Sequence, residues 1–160
     1  MQIGDQANVM RQHVLTLLEG GHTYSHADDV LAGWDASRVG ERVAGHSHTA
    51  WRLVWHLWFT QGDLLRFAMR DDYKEPEWPA AYWPDGDGPA DAFAWDRTVA
   101  EFRDGLATAQ QLAAGTVETL LQVAPRGDGS QTVLRSLLMI AEHNAYHLGQ
   151  LQALKWSLAM

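Results

Sequence analysis

His143 and His147 stand four residues apart in the run Glu142-His-Asn-Ala-Tyr-His147-Leu-Gly-Gln150. On a helix that spacing stacks two imidazoles on one face, close enough to share a metal ion. Ile140 and Leu151 lie on the same face, so both rings are expected to point inward. A third candidate, His56, sits among Leu53, Leu57 and Thr60 at three-four spacing. Three imidazoles from two neighbouring helices can meet at one point inside a bundle. They would hold one divalent ion per chain and leave two or three coordination positions open, which a catalytic site needs and a structural one does not. Imidazole nitrogen favours zinc, nickel or copper over magnesium or manganese. Ligand imidazoles must be neutral, so affinity is expected to weaken as the pH drops through the ordinary histidine range, about 6.5. Spacing alone also allows the blander alternative, core histidines hydrogen-bonded to backbone carbonyls.

Other side chains carry paired readings. Asp63 follows His56 by seven residues on the same helical face, where it could orient a ligand or hold a water. A capping or ion-pair role is the reading favoured for it. His13 is expected on the core side of the first helix, as a hydrogen-bonded core histidine or a further approach to the metal. Gln150 could support an imidazole from behind, and Gly149 could instead mark a close approach of helices. Of His22, His26, His46 and His48, only His48 lies roughly over the His56 face. Trp51, Trp55 and Trp58 circle one helix, so they cannot all enter one core stripe. Rival chemistries lack their spacing. The one Glu-x-x-His, Glu19-Gly-Gly-His22, breaks on a glycine pair, and there is no HExxH, phosphate-binding glycine loop or GxSxG elbow.

Four helical stretches would position these residues. They run from about Asp5 to Glu19 (Met10, His13, Val14 and Leu17 on one side), Thr49 to Arg70 (Leu53, His56, Leu57, Thr60, Leu64, Phe67), Asp91 to Ala113 (Trp95, Val99, Phe102, Leu106, Ala109), and from Ser130, read as an N-cap, to about Leu158. The last has a wide apolar face that includes Leu134, Leu137, Leu138, Ala141, Leu148, Leu151 and Leu154. No segment alternates as a strand does. The connections are long. Ser25-His-Ala-Asp28 has capping-box spacing for a short helix ending near Gly33. Residues 71–90 hold four of the five prolines. Within them Trp78-Pro-Ala-Ala-Tyr-Trp-Pro84 is stiff and aromatic, suited to covering the open side of the His56 site in the same chain or in a dimer partner. The alternative is that its rings only cap the end of the core. The fold class is all-α, a four-helix bundle forming one domain over residues 1–160.

Composition bounds the rest. A hydrophobic share of 46% and a charged share of 20% are those of a globular protein. The net charge of -8, with no Lys/Arg cluster, disfavours nucleic acid as a partner. Cysteine is absent, which removes thiolate metal sites and disulfides and suits a reducing compartment. Met1–Asp5 shows no signal-peptide pattern and no stretch reads as a membrane span, so the expectation is a cytoplasmic protein with no membrane partner.

The segment His48-Thr-Ala-Trp-Arg-Leu-Val-Trp-His56-Leu, with His143-Asn-Ala-Tyr-His147-Leu-Gly-Gln150 far downstream, resembles the DinB/YfiT-like superfamily of metal-binding four-helix bundles. Glu77-Trp-Pro-Ala-Ala-Tyr-Trp-Pro84 and Ala94-Trp-Asp96 resemble one branch of it. The resemblance implies His56 as the first metal ligand and His143 and His147 as the second and third, with zinc or nickel as the ion. It also implies an up-down-down-up bundle that forms a homodimer. The family name refers to induction by DNA damage and not to DNA binding. Some members are thiol-dependent transferases or isomerases, which implies a reaction on a small-molecule substrate with a low-molecular-weight thiol, or a hydrolysis. The other class of function is a non-catalytic metal-binding dimer acting in stress response or as an interaction module. The tryptophan-rich second helix, unable to hide every ring in one monomer, likewise points to self-association.

Overall fold

Each of the four amphipathic stretches forms a long helix in the computed structural model, which describes residues 3–159. Residues 1, 2 and 160, which the sequence reading places in the same domain, lie outside the described residues. The long helices are α1 (Ile3–Glu19), α3 (Ala50–Met69), α4 (Ala94–Ala113) and α6 (Val133–Ala159). Two short ones, α2 (Ala27–Leu31) and α5 (Val117–Leu121), and one 3₁₀ turn at Ala80–Tyr82 occupy the connections. Among the described residues the only β pairing is an isolated bridge between Val123 and Thr132. The chain is all-α.

Local chemistry explains the ends. The Thr49 side chain accepts from the Arg52 amide and caps α3. Gly20 and Gly21 stop α1 at φ of 74° and 81°. There a Cβ would be strained by the backbone alone and would also meet the Tyr24 and His26 rings. Two expected caps are displaced. Ser130 is held by Asp128 in a turn, and the Thr132 hydroxyl, accepting from the Arg135 amide at 3.2 Å, caps α6 instead. The helix predicted after Ser25 starts at Ala27 with His26 at its N-cap and no side-chain cap.

α3 packs against both α4 and α6, and α1 closes the other side against the same two helices. From the residues just before α3 and along it, the pairs His46–Ser157, His56–His147 and Gln61–Asn144 show α3 and α6 running in opposite senses. The apolar interior falls into two clusters. One gathers Val54, Leu57, Trp95, Phe102, Leu151 and Leu154, the other Val14, Leu65, Ala109, Leu137 and Ile140. Buried polar groups lie among them: His56, Gln61, Asp63, Asn144 and His147. Gln61, 1% exposed, donates to the Phe102 carbonyl at 2.8 Å and accepts from the Asn144 amide at 2.9 Å, so its burial leaves neither end unsatisfied.

The core stripe of α3 therefore departs from the predicted one in its second half. It runs Leu57, Gln61, Leu65, Ala68, while Thr60, Leu64 and Phe67 are only partly buried. On α1 the inward positions are Val14 and Leu18, and His13 and Leu17 face solvent. His13 is therefore not a core histidine, and it is not one of the three that converge. Leu138, predicted for the apolar face of α6, is also exposed.

Candidate metal centre

The second turn of α3 and the middle of α6 bring His56, His143 and His147 together. One nitrogen from each lies within 4.8 Å of the other two. His56 Nε2 and His143 Nε2 are 3.0 Å apart, and the ring centroids are 4.5–4.8 Å apart. Two nitrogens each about 2.0–2.1 Å from a zinc ion stand roughly 3 Å apart, so the cluster is the right size for one ion.

Each ring is also aimed. The Tyr82 carbonyl can only accept, so His56 Nδ1, at 2.7 Å from it, donates and leaves Nε2 bare toward the cluster. The Thr60 hydroxyl lies 3.3 Å from the same Nδ1. His147 Nδ1 pairs with Gln150 Oε1 at 2.7 Å, again turning Nε2 inward. Gln150 is thus the support behind an imidazole. Gly149 is no helix-packing point: a Cβ built there would meet open space. His143 Nδ1 is buried without a hydrogen-bond partner. The donor set is three imidazoles, all on buried or half-buried side chains. These features fit a divalent metal ion, which Nε2 of His56 and His147 and a ring nitrogen of His143 would hold.

The electrostatics keep the rings neutral. Burial drives His56 down to about 4, against the pull of its bond to Tyr82. Burial and the neighbouring His147 and His56 drive His143 to about 3. Burial lowers His147 as well. In the folded chain protons therefore compete for these nitrogens at a lower pH than the unperturbed value of about 6.5 suggests. A consequence for the metal-free protein follows. As the pH falls below about 6.5 the unfolded chain takes up protons on His56 and His143, while the folded chain does not until about 4 and about 3. The stability they contribute is thus complete at neutral pH and is lost progressively between those limits. Metal-free protein should melt at a lower temperature at pH 5 than at pH 7. An equal melt at both values would contradict the neutral, buried state of the cluster.

The aromatic loop covers the site from the same chain. The Trp83 ring stacks on His56 (centroids 4.0 Å apart, 7° between planes) and on His48 (4.2 Å, 15°). Two imidazoles that close on one indole face would overlap, so Trp83 lies between them. Arg52 donates to the Pro84 carbonyl at 2.9 Å and Thr49 hydrogen-bonds the Asp87 carbonyl, which ties down the far end of the loop. Burial, then Arg52 and Arg42, lowers the pKa of His48. Of the loop histidines singled out, His48 reaches the site, whereas His26 binds the Glu19 carbonyl and His46 meets Ser157. Asp63 holds no ring of the cluster. It takes the Tyr82 and Tyr73 hydroxyls and a 3.4 Å contact from Arg66, so the ion pair expected of it is its weakest contact.

Sequence reasoning missed Tyr82, Gln61 and Asn144. The Tyr82 contribution is a backbone carbonyl, which no residue type announces. Gln61 and Asn144 are legible only once their helices meet and the Asn144 amide donates to Gln61.

A helical bundle with three converging imidazoles is the class that the fold and site define. The sequence profile of the DinB superfamily matches residues 8–151, and the chain belongs to that family. No curated protein and no solved structure matches it.

Proposed function

We propose that the protein binds one divalent ion per chain on His56, His143 and His147 and acts as a metal-dependent enzyme on a small molecule. The reaction class is thiol-dependent transfer or isomerisation, or hydrolysis. The observation that carries this reading is the convergence of three neutral imidazoles, two of them with the outer nitrogen engaged and the inner one turned into the cluster. A bound ion there supplies Lewis acidity, enough to lower the pKa of water or of a substrate thiol toward neutrality. The chain's own contribution is positioning. Tyr82 and Gln150 orient two of the rings, and Trp83 shields His56 from solvent and offers an indole edge to an apolar or thiol-linked substrate.

Zinc or nickel is the proposed ion, since neutral imidazoles bind both well. A homodimer and a cytoplasmic setting, where low-molecular-weight thiols stay reduced, complete the proposal. Among the described residues no helix is long and apolar enough to cross a membrane. The exposed large apolar side chains, however, are not concentrated on the tryptophans of α3. Trp51 is buried and Trp55 and Trp58 are half-buried, while Val9, Leu17, Leu138 and Met139 are exposed on α1 and α6.

The test is turnover of a panel of electrophiles and esters by zinc- or nickel-loaded protein, with and without glutathione, mycothiol or bacillithiol. Activity that depends on both His143 and the metal is expected, and Trp83→Ala should change substrate preference while leaving metal content at one ion per chain. A loaded protein inert to the whole panel would favour the non-catalytic metal-binding function.

A further inference from the structure

Among the described residues Asp63 is the buried carboxylate, 5% exposed on the fourth turn of α3. A buried carboxylate is costly unless it is hydrogen-bonded, and an apolar residue would fill the same space without that cost. Its two hydroxyl partners both come from the connection that covers the site. The Tyr82 hydroxyl donates to Asp63 Oδ2 at 2.7 Å and the Tyr73 hydroxyl to the same oxygen at 3.3 Å. Tyr82 is also the residue whose carbonyl accepts from His56 Nδ1. Its ring is also packed edge-on against Phe59 and Trp78. Asp63 and His56 thus grip the two ends of one loop residue, seven positions apart on the same helix.

We infer that Asp63 and Tyr82 form a positioning pair: the carboxylate anchors the Tyr82 side chain, which sets the Tyr82 carbonyl so that His56 stays protonated on Nδ1 and presents Nε2 to the metal. This inference rests on the three-histidine metal reading, but the tautomer it requires can be tested without metal. Tyr73 is the internal control. It bonds the same carboxylate and helps hold the loop, yet it offers His56 no carbonyl.

The experiment compares Tyr82→Phe, Tyr73→Phe, Asp63→Asn and Asp63→Leu with the unaltered protein. Two quantities are read: zinc affinity by competition with a chromophoric chelator, and the His56 tautomer in metal-free protein from imidazole ¹⁵N shifts. Outer partners of a ligand histidine typically matter by 10- to 100-fold in affinity. Tyr82→Phe and Asp63→Leu should therefore weaken zinc binding about 10-fold or more and move His56 toward a mixture of Nδ1-H and Nε2-H forms. Asp63→Asn keeps an acceptor oxygen and should recover most of the loss, and Tyr73→Phe should stay within about 3-fold of the unaltered protein. Unchanged affinity and tautomer in Tyr82→Phe would overturn the inference. So would an equal loss in Tyr73→Phe, which would reduce the pair to general loop anchoring. If Tyr82→Phe fails to fold, Asp63→Asn against Asp63→Leu carries the same comparison. Should the unaltered protein bind no zinc, the metal reading falls, while the His56 shifts still decide whether this pair sets the tautomer.

Discussion

Alanine in place of His143 or His147 should empty the metal site while leaving the fold in place. Unaltered protein reloaded with zinc or nickel and passed through gel filtration is expected to carry close to one ion per chain, and either variant close to none. The reason is geometric. The three nitrogens lie within 4.8 Å of one another, and no other group of three or more histidines and acids among the described residues is placed to hold an ion. Two imidazoles left on one ion lose the third arm of the chelate, and nothing nearby replaces it. The fold should tolerate the change because His143 is only half-buried. Its removal takes away a ring whose Nδ1 is already without a hydrogen-bond partner. Circular dichroism of the variants should match that of the metal-free parent. Elemental analysis showing a full ion in His143→Ala would place the metal elsewhere and end the central proposal.

The opposite dissociation is expected at Phe102. This ring is 1% exposed in the cluster with Leu57, Trp95 and Leu151, at the level where α3, α4 and α6 meet. Truncation to alanine removes its burial and leaves a cavity that packed neighbours fill only in part, a cost of about 3–5 kcal/mol. For a chain of this length each kcal/mol lowers the melting temperature by about 2–4 °C, so a fall on the order of 10 °C is expected. Metal stoichiometry should survive, because the contact that Phe102 makes to the polar layer is through its carbonyl to Gln61, which the substitution retains. Saturating zinc should then recover part of the lost stability, since a ligand that binds only the folded chain stabilises it by mass action. A melt within 2 °C of the parent would mean that the core around Phe102 closes the cavity unaided.

These two outcomes separate what the linear chain carries from what folding adds. The three-histidine cluster was legible because it is written in periodicity. His143 and His147 share a helix face by spacing alone, and His56 falls on the inward stripe with Leu53 and Leu57. The four long helices were legible for the same reason, since their apolar repeats are strong and the Thr49 hydroxyl opens α3 where the pattern begins. The stiffness and aromatic content of Trp78–Pro84 pointed to a covering role, and Trp83 now lies flat on His56.

Other features depended on which surfaces meet. Whether His13 faces the core is settled by a few tens of degrees of helix rotation, which burial of Val14 and Leu18 decides against it. Gln61 sits in the α3 core stripe because Asn144 and the Phe102 carbonyl, from two other helices, satisfy both ends of its amide. Ser130 and Thr132 are both good caps, and Asp128 takes the first, leaving the second to start α6. The surroundings of the three-histidine cluster are the clearest case. Residue type and spacing determined which imidazoles could ligate, because side-chain direction on a helix follows from its period. Only the tertiary structure decided how His56 is aimed, because the group that aims it is a loop carbonyl held by a carboxylate on the same helix, and a backbone oxygen has no signature until the chain has folded around it.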